Sequence, residues 1–183
     1  MMTKLVVYFD LPDEHIKQIS DISENMVIVR CTEKKEFLAH VADTEILITL
    51  FKWPDAKTVR QAPRLKWIQS LTAGVDFLPL DEIRAQGIIL TSGRGIHKIY
   101  IAEYALAAMI NFARNAPTML LNQLRKKWDR SVPQGEICGS VVGILGLGSI
   151  GREIATKASV FGMRVIGVKN HPLPIECVDH VYG

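Results

Sequence analysis

Five consecutive residues without a charge, Val141-Val142-Gly143-Ile144-Leu145, run straight into Gly146-Leu147-Gly148-Ser149-Ile150-Gly151. Three glycines at this spacing recur by chance, but their surroundings restrict what the segment can become. The apolar run ahead of them reads as a buried parallel strand. Behind them, Arg152 to Phe161 has helical spacing, with Ile154, Ala155 and Ala158 on one face. Gly162 stands where a helix C-terminus takes a left-handed residue, and Met163 to Val168 reads as a second strand. Strand, glycine turn, helix and strand in that order make a βαβ unit with the turn at its first corner.

The geometry of such a corner gives each glycine a task. Gly146 permits the tight turn, Gly148 lets an anion approach the backbone, and Gly151 lets helix and strand pack closely. The helix N-terminus at Ser149 to Gly151 offers unpaired N–H groups and the positive end of the helix dipole. Gly146, Leu147, Gly148, Ser149, Ile150 and Gly151 are therefore the candidate residues for a dinucleotide pyrophosphate; the bland alternative is a tight turn without a ligand. The end of the second strand selects the nucleotide. A site for NAD usually places a carboxylate there to accept from the ribose hydroxyl. This chain has Val168-Lys169-Asn170-His171 instead. Lys169 and Asn170 favour NADP over NAD, although Lys169 also fits a solvated strand-end charge.

Ahead of the turn, strand-like and helix-like segments alternate. Leu5–Phe9, Met26–Val29, Ile46–Leu50, Leu65–Ser70 and Ile88–Thr91 read as strands. Asp13–Ile22, Lys35–Ala42, Ala56–Ala62 and Leu80–Ala85 read as helices. Such alternation predicts an α/β fold, a parallel sheet with helices on both faces, and five strands suit a flavodoxin-like order. Two longer helices are expected at Tyr100–Asn115 and Thr118–Trp128, interrupted by Pro117, with a linker at Ser131–Gly135. The chain thus divides into a flavodoxin-like domain at 1–95, connecting helices and linker at 96–135, and an incomplete Rossmann domain at 136–183. Within the first domain, the loop Ser70-Leu71-Thr72-Ala73-Gly74-Val75-Asp76 follows a strand C-terminus, where open α/β sheets bind ligands. Its small residues leave backbone N–H groups open to an anion; an ordinary strand-to-helix turn fits equally well.

Composition excludes several classes. With 48% apolar and 22% charged residues the chain is globular rather than disordered. A net charge of +3 is mildly basic, and its densest stretch, Arg125-Lys126-Lys127 with Arg130, reads as a solvated helix face rather than a nucleic-acid surface. Cys31, Cys138 and Cys177 are odd in number and far apart, so neither a disulfide framework nor a metal site is indicated. The N-terminal apolar run is too short for a signal peptide, and the stretch Ile101–Ala113 is too short to span a bilayer. A soluble, cytoplasmic protein is expected, with no membrane partner.

Taken together, Leu65–Asp76, Gly95-Ile96-His97 with Ala102-Glu103-Tyr104-Ala105-Leu106, and Gly139–Gly151 resemble the D-isomer-specific 2-hydroxyacid dehydrogenase family over nearly the whole chain. The resemblance implies a flavodoxin-like substrate domain followed by a Rossmann domain. It implies a nicotinamide cofactor, NADP or NAD, and a small 2-hydroxy or 2-keto acid substrate such as glyoxylate or hydroxypyruvate. Ala73, Gly74 and Val75 would then give backbone amides to the substrate carboxylate, and the helices across 100–128 would form a homodimer interface. The family moves a hydride with the help of an Arg, an acidic residue and a His that lie later in its Rossmann domain. None of these falls within residues 1–183, so no catalytic residue is assigned. His97 borders the matching hinge stretch without a proton-transfer role in the family pattern, and His171 and His180 read as facing solvent or adenosine. The expectation is an oxidoreductase family member, shortened and inactive alone, with a weakly ordered second half; a non-catalytic, nucleotide-sensing module is the alternative.

Overall fold

The structure, a computed structural model, describes residues 2–51 and 53–183. They fall into two compact units, the first ending at Arg94 and the second beginning at Gly95. Residues 96–135 therefore group with the glycine-turn segment.

The first unit alternates β1 (Thr3–Tyr8), α1 (Asp13–Ser20), β2 (Met26–Cys31), α2 (Lys34–Leu38), a 3-10 turn (Val41–Asp43), β3 (Ile46–Thr49), α3 (Ala56–Arg60), β4 (Trp67–Ser70), α4 (Leu80–Ala85) and β5 (Ile89–Ser92). The sheet is wholly parallel in the order β2-β1-β3-β4-β5, which is the flavodoxin-like order. Register aligns Val29, Val6, Leu47, Ile68 and Leu90 in one row across it. Phe37 of α2, Val59 of α3 and Ile83 of α4 pack on that row and close the core. The helical cover is less even than the alternation suggests. Right-handed crossovers put α1 on one face and α2, α3 and α4 on the other, because the step from β1 to β2 runs opposite to the later steps. Consistently, α1 buries no residue, and the paired Trp67 and Ile89 remain 37% and 63% exposed.

The second unit contains α5 (Lys98–Ala113), α6 (Ala116–Leu124), β6 (Val141–Leu145), α7 (Ser149–Val160), β7 (Arg164–Val168) and β8 (His180–Tyr182). Its three strands are parallel in the order β6-β7-β8, the 3-2-1 half of a doubly wound sheet. Ile144, Leu147, Ala155, Ala158 and Val165 form its core, and Met109 of α5 packs against them. The alanines let α5 and α7 approach closely. The edge strand β6 leaves Leu145 90% exposed.

Two helix boundaries differ from expectation. Pro117 does not break a helix but begins one: it lies in the first turn of α6, where no N–H is needed, and the break is at Asn115, whose φ is 50°. The helix then ends at Leu124, short of Trp128. Lys126 adopts a left-handed φ of 53°, its N–H donates to the Gln123 carbonyl, and the Lys127 N–H donates to Asn122, a Schellman stop made without glycine.

Candidate functional site

The glycine turn is assembled by three different constraints. Gly146 has a φ of 99°, a conformation that side chains resist, and its N–H donates to the Val168 carbonyl, tying the turn to the end of β7. A Cβ at Gly151 would collide with the carbonyl oxygen of Gly146, so helix and turn are in backbone contact there. Gly148 differs from both: nothing lies within 4 Å of where its Cβ would be, and its φ of −80° suits any residue. The requirement for glycine at 148 is thus not internal. A backbone surface kept open over the N-terminus of α7, with no side chain capping that terminus, suits a diphosphate.

This turn forms one wall of a cleft of about 370 Å³ lined by Leu145, Gly146, Leu147, Gly148, Val168, Lys169, Asn170 and His171. The structure therefore gathers Gly146, Leu147, Gly148, Lys169 and Asn170 in one place. Ser149, Ile150 and Gly151 form the first turn of α7 just beyond that wall. Leu147 is only 1% exposed, and its side chain rests on Gly167, where a Cβ would stand only 2.7 Å from Cδ1. Leu145 and Val168 belong to the lining and escaped sequence reasoning; their only signal is position at the C-terminal ends of β6 and β7. The cleft lining includes a lysine and a histidine but no carboxylate. The nearest acidic group along α7 is Glu153, bonded to Lys157 at 2.9 Å and 3.6 Å from Lys98 of α5. The Lys157 hydrogen bond, with Lys98 adding to it, holds the Glu153 carboxyl below its usual range, so the pairing ties α5 to α7.

In the first unit the loop after β4 is fixed at both ends. The Leu71 N–H donates to Thr49, the Gly93 N–H donates to the Thr72 carbonyl, and the Leu78 N–H donates to Val75. The Ser70 and Thr72 hydroxyls lie 2.7 Å apart, and Thr72 donates to the Gly74 carbonyl at 2.8 Å. Among the described residues, the N–H groups of Ala73, Gly74 and Val75 have no acceptor. The Asp76 carboxylate stands beside Gly74.

The histidines divide by their neighbours. His97 precedes α5 and its Nδ1 lies 2.6 Å from the Tyr100 hydroxyl, a neutral partner rather than a carboxylate. His180 leans on the Tyr182 ring with centroids 4.2 Å apart. His171 is in the cleft. The best-buried carboxylate of an ion pair, Glu45, bonds Lys66 at 2.7 Å and Arg64 at 2.8 Å just before β3, at the opposite end of the strands from the Ser70–Asp76 loop. Among the described residues no cluster of three His, Cys, Asp or Glu side chains could hold a metal, and no helix is long and apolar enough to cross a membrane.

Comparison with known proteins agrees with this geometry. The signature of the D-isomer specific 2-hydroxyacid dehydrogenase NAD binding domain matches residues 106–182. A D-3-phosphoglycerate dehydrogenase of Methanocaldococcus jannaschii is 31% identical over 168 residues, covering 91% of this chain and 32% of that protein. The chain belongs to the D-isomer specific 2-hydroxyacid dehydrogenase family. Within the same family, a crystal structure from Aeromonas salmonicida subsp. salmonicida matches 100% of this chain and 58% of its own, with a TM-score of 0.82 and 26% identity. A hydroxypyruvate reductase of Thermotoga maritima is 27% identical over 80% of this chain and 50% of its own length. The chain spans from about a third to a half of the length of these two relatives. Its second unit carries the family's NAD binding signature, so the cofactor class is a nicotinamide dinucleotide.

Proposed function

We propose that this chain supplies the coenzyme pyrophosphate site and the substrate carboxylate loop of a dehydrogenase acting on a small 2-hydroxy or 2-keto acid, of the glyoxylate or hydroxypyruvate kind. The observation that carries the reading is Gly148. It is open where a Cβ would be, stands at an uncapped helix N-terminus, and faces a cleft with a basic and carboxylate-free lining. Gly146 to Gly151 hold the diphosphate through backbone N–H groups, and Lys169 and Asn170 meet the ribose end. With no carboxylate there to accept from a 2′-hydroxyl, NADP is preferred over NAD. A bound nicotinamide coenzyme supplies or accepts the hydride. The chain's own part is to orient the coenzyme and, through the free amides of Ala73, Gly74 and Val75, to hold the carboxylate of the acid. No proton-transfer residue is assigned among residues 1–183.

Fluorescence titration of the reduced coenzymes tests the reading. Saturable binding, tighter for NADPH than for NADH, is expected; tighter NADH binding would refute the NADP preference and leave the pyrophosphate site standing. A homodimer through α5 and α6 belongs to the same proposal, supported by the exposed Tyr104, Phe112, Leu120 and Leu124 along these helices.

A further inference from the structure

Resting on the reading that Ala73 to Val75 receive a carboxylate, the loop's own hydrogen bonds name a residue that aims it. Thr72 has one hydroxyl proton, and it goes to the Gly74 carbonyl at 2.8 Å. The 2.7 Å contact with Ser70 must then run the other way, Ser70 donating and Thr72 accepting. Ser70 is fully buried, so this donor is fixed in place and in turn fixes the Thr72 hydroxyl. The consequence lies in the next peptide plane. The only cis bond in the described chain is Trp53–Pro54, so the Gly74–Val75 peptide is trans and its C=O and N–H point in opposite directions. Holding the Gly74 oxygen against Thr72 turns the Val75 N–H away from the loop's interior. The peptide from Thr72 to Ala73 is set in the same manner, since the Thr72 carbonyl accepts from Gly93 at 2.9 Å and the Ala73 N–H must face the other way. The Thr72 and Gly74 carbonyls are thereby occupied, and among the described residues the Ala73 and Val75 N–H groups are left unpaired.

We propose that Thr72 is a positioning residue for carboxylate binding: its hydroxyl, set by Ser70, holds the Gly74 oxygen inward and so presents the Val75 N–H to the substrate. Thr72 itself does not touch the acid, because its proton is already committed.

The test is an amide-resolved NMR titration of the 183-residue chain with oxamate, a stable isostere of a small 2-keto acid, for wild type, Thr72→Val and Thr72→Ser. Wild type is expected to show saturable shifts at Ala73, Gly74 and Val75. Thr72→Val, which keeps the shape and removes the hydroxyl, is expected to weaken binding about tenfold with most other amide signals unmoved, and Thr72→Ser to stay within about twofold of wild type. Unchanged affinity in Thr72→Val would overturn the positioning role while leaving the carboxylate loop intact. An absence of saturable shifts in wild type would remove the loop reading itself, and the positioning role with it. If Thr72→Val loses its folded spectrum, Thr72→Ala, which also lacks the hydroxyl, takes its place, and unchanged affinity there overturns the proposal equally.

Discussion

At the scale of single residues, the three turn glycines look alike in sequence and are held by unlike forces. Gly148→Ala places a methyl group in open space at an ordinary φ, so the melting temperature should hardly change while coenzyme affinity falls. Gly151→Ala drives a methyl group into the Gly146 carbonyl, and the turn must shift at a cost of about 1–3 kcal/mol. Thermal melts and coenzyme titrations on the pair separate the two roles; equal loss of stability in both variants would mean that Gly148 is structural. Spacing alone marked these positions as special. Which of them serves the ligand became visible only with the backbone around them, since the emptiness at Gly148 and the collision at Gly151 depend on neighbours that no local pattern encodes.

Among the elements, the strands were the most legible part of the chain. Val141–Leu145 is found at its expected bounds, because an uncharged run followed by a glycine turn leaves few alternatives. The uneven helical cover of the first sheet was hidden, since it follows from strand order and crossover hand rather than from the composition of any helix. The stop of α6 at Leu124 was hidden for another reason: Lys126 takes a left-handed conformation without the glycine that would have announced it. The site was legible in proportion to its locality. Gly146 to Gly148 are contiguous, whereas their meeting with Lys169 and Asn170 needed β6 and β7 to pair in register. Two measurements test the elements. Asp55 caps α3 by accepting from the Thr58 N–H, so Asp55→Ala should lower stability by about 1 kcal/mol in chemical denaturation, and Asp55→Asn by less because it keeps an acceptor. Glu45 has its carboxyl held below the usual range, first by its hydrogen bond to Lys66 and then by the charges of Lys66 and Arg64. A depressed native pKa stabilises the fold above the unfolded value of about 4.3 and is lost as pH falls below it. Glu45→Gln should therefore flatten the acid limb of the stability curve; an unaltered limb would show that the ion pair is not part of it.

For the whole molecule, a flavodoxin-like unit is followed along the chain by a three-stranded parallel sheet within the NAD binding signature. Tyr104 and Phe112 of α5 and Leu124 of α6 are 77%, 86% and 73% exposed, large apolar side chains left to water of the kind that marks interaction surfaces when they adjoin. Sedimentation should find a dimer, and Phe112→Glu with Leu124→Glu should dissociate it; a wild-type monomer across micromolar concentrations would end the homodimer proposal. The proposed seating of a dinucleotide diphosphate on the backbone at the start of α7 is tested by isothermal calorimetry of the folded chain with NADPH and then NADH. Saturable heat with both, and higher affinity for NADPH, is the expected result; no heat with either coenzyme would contradict that seating.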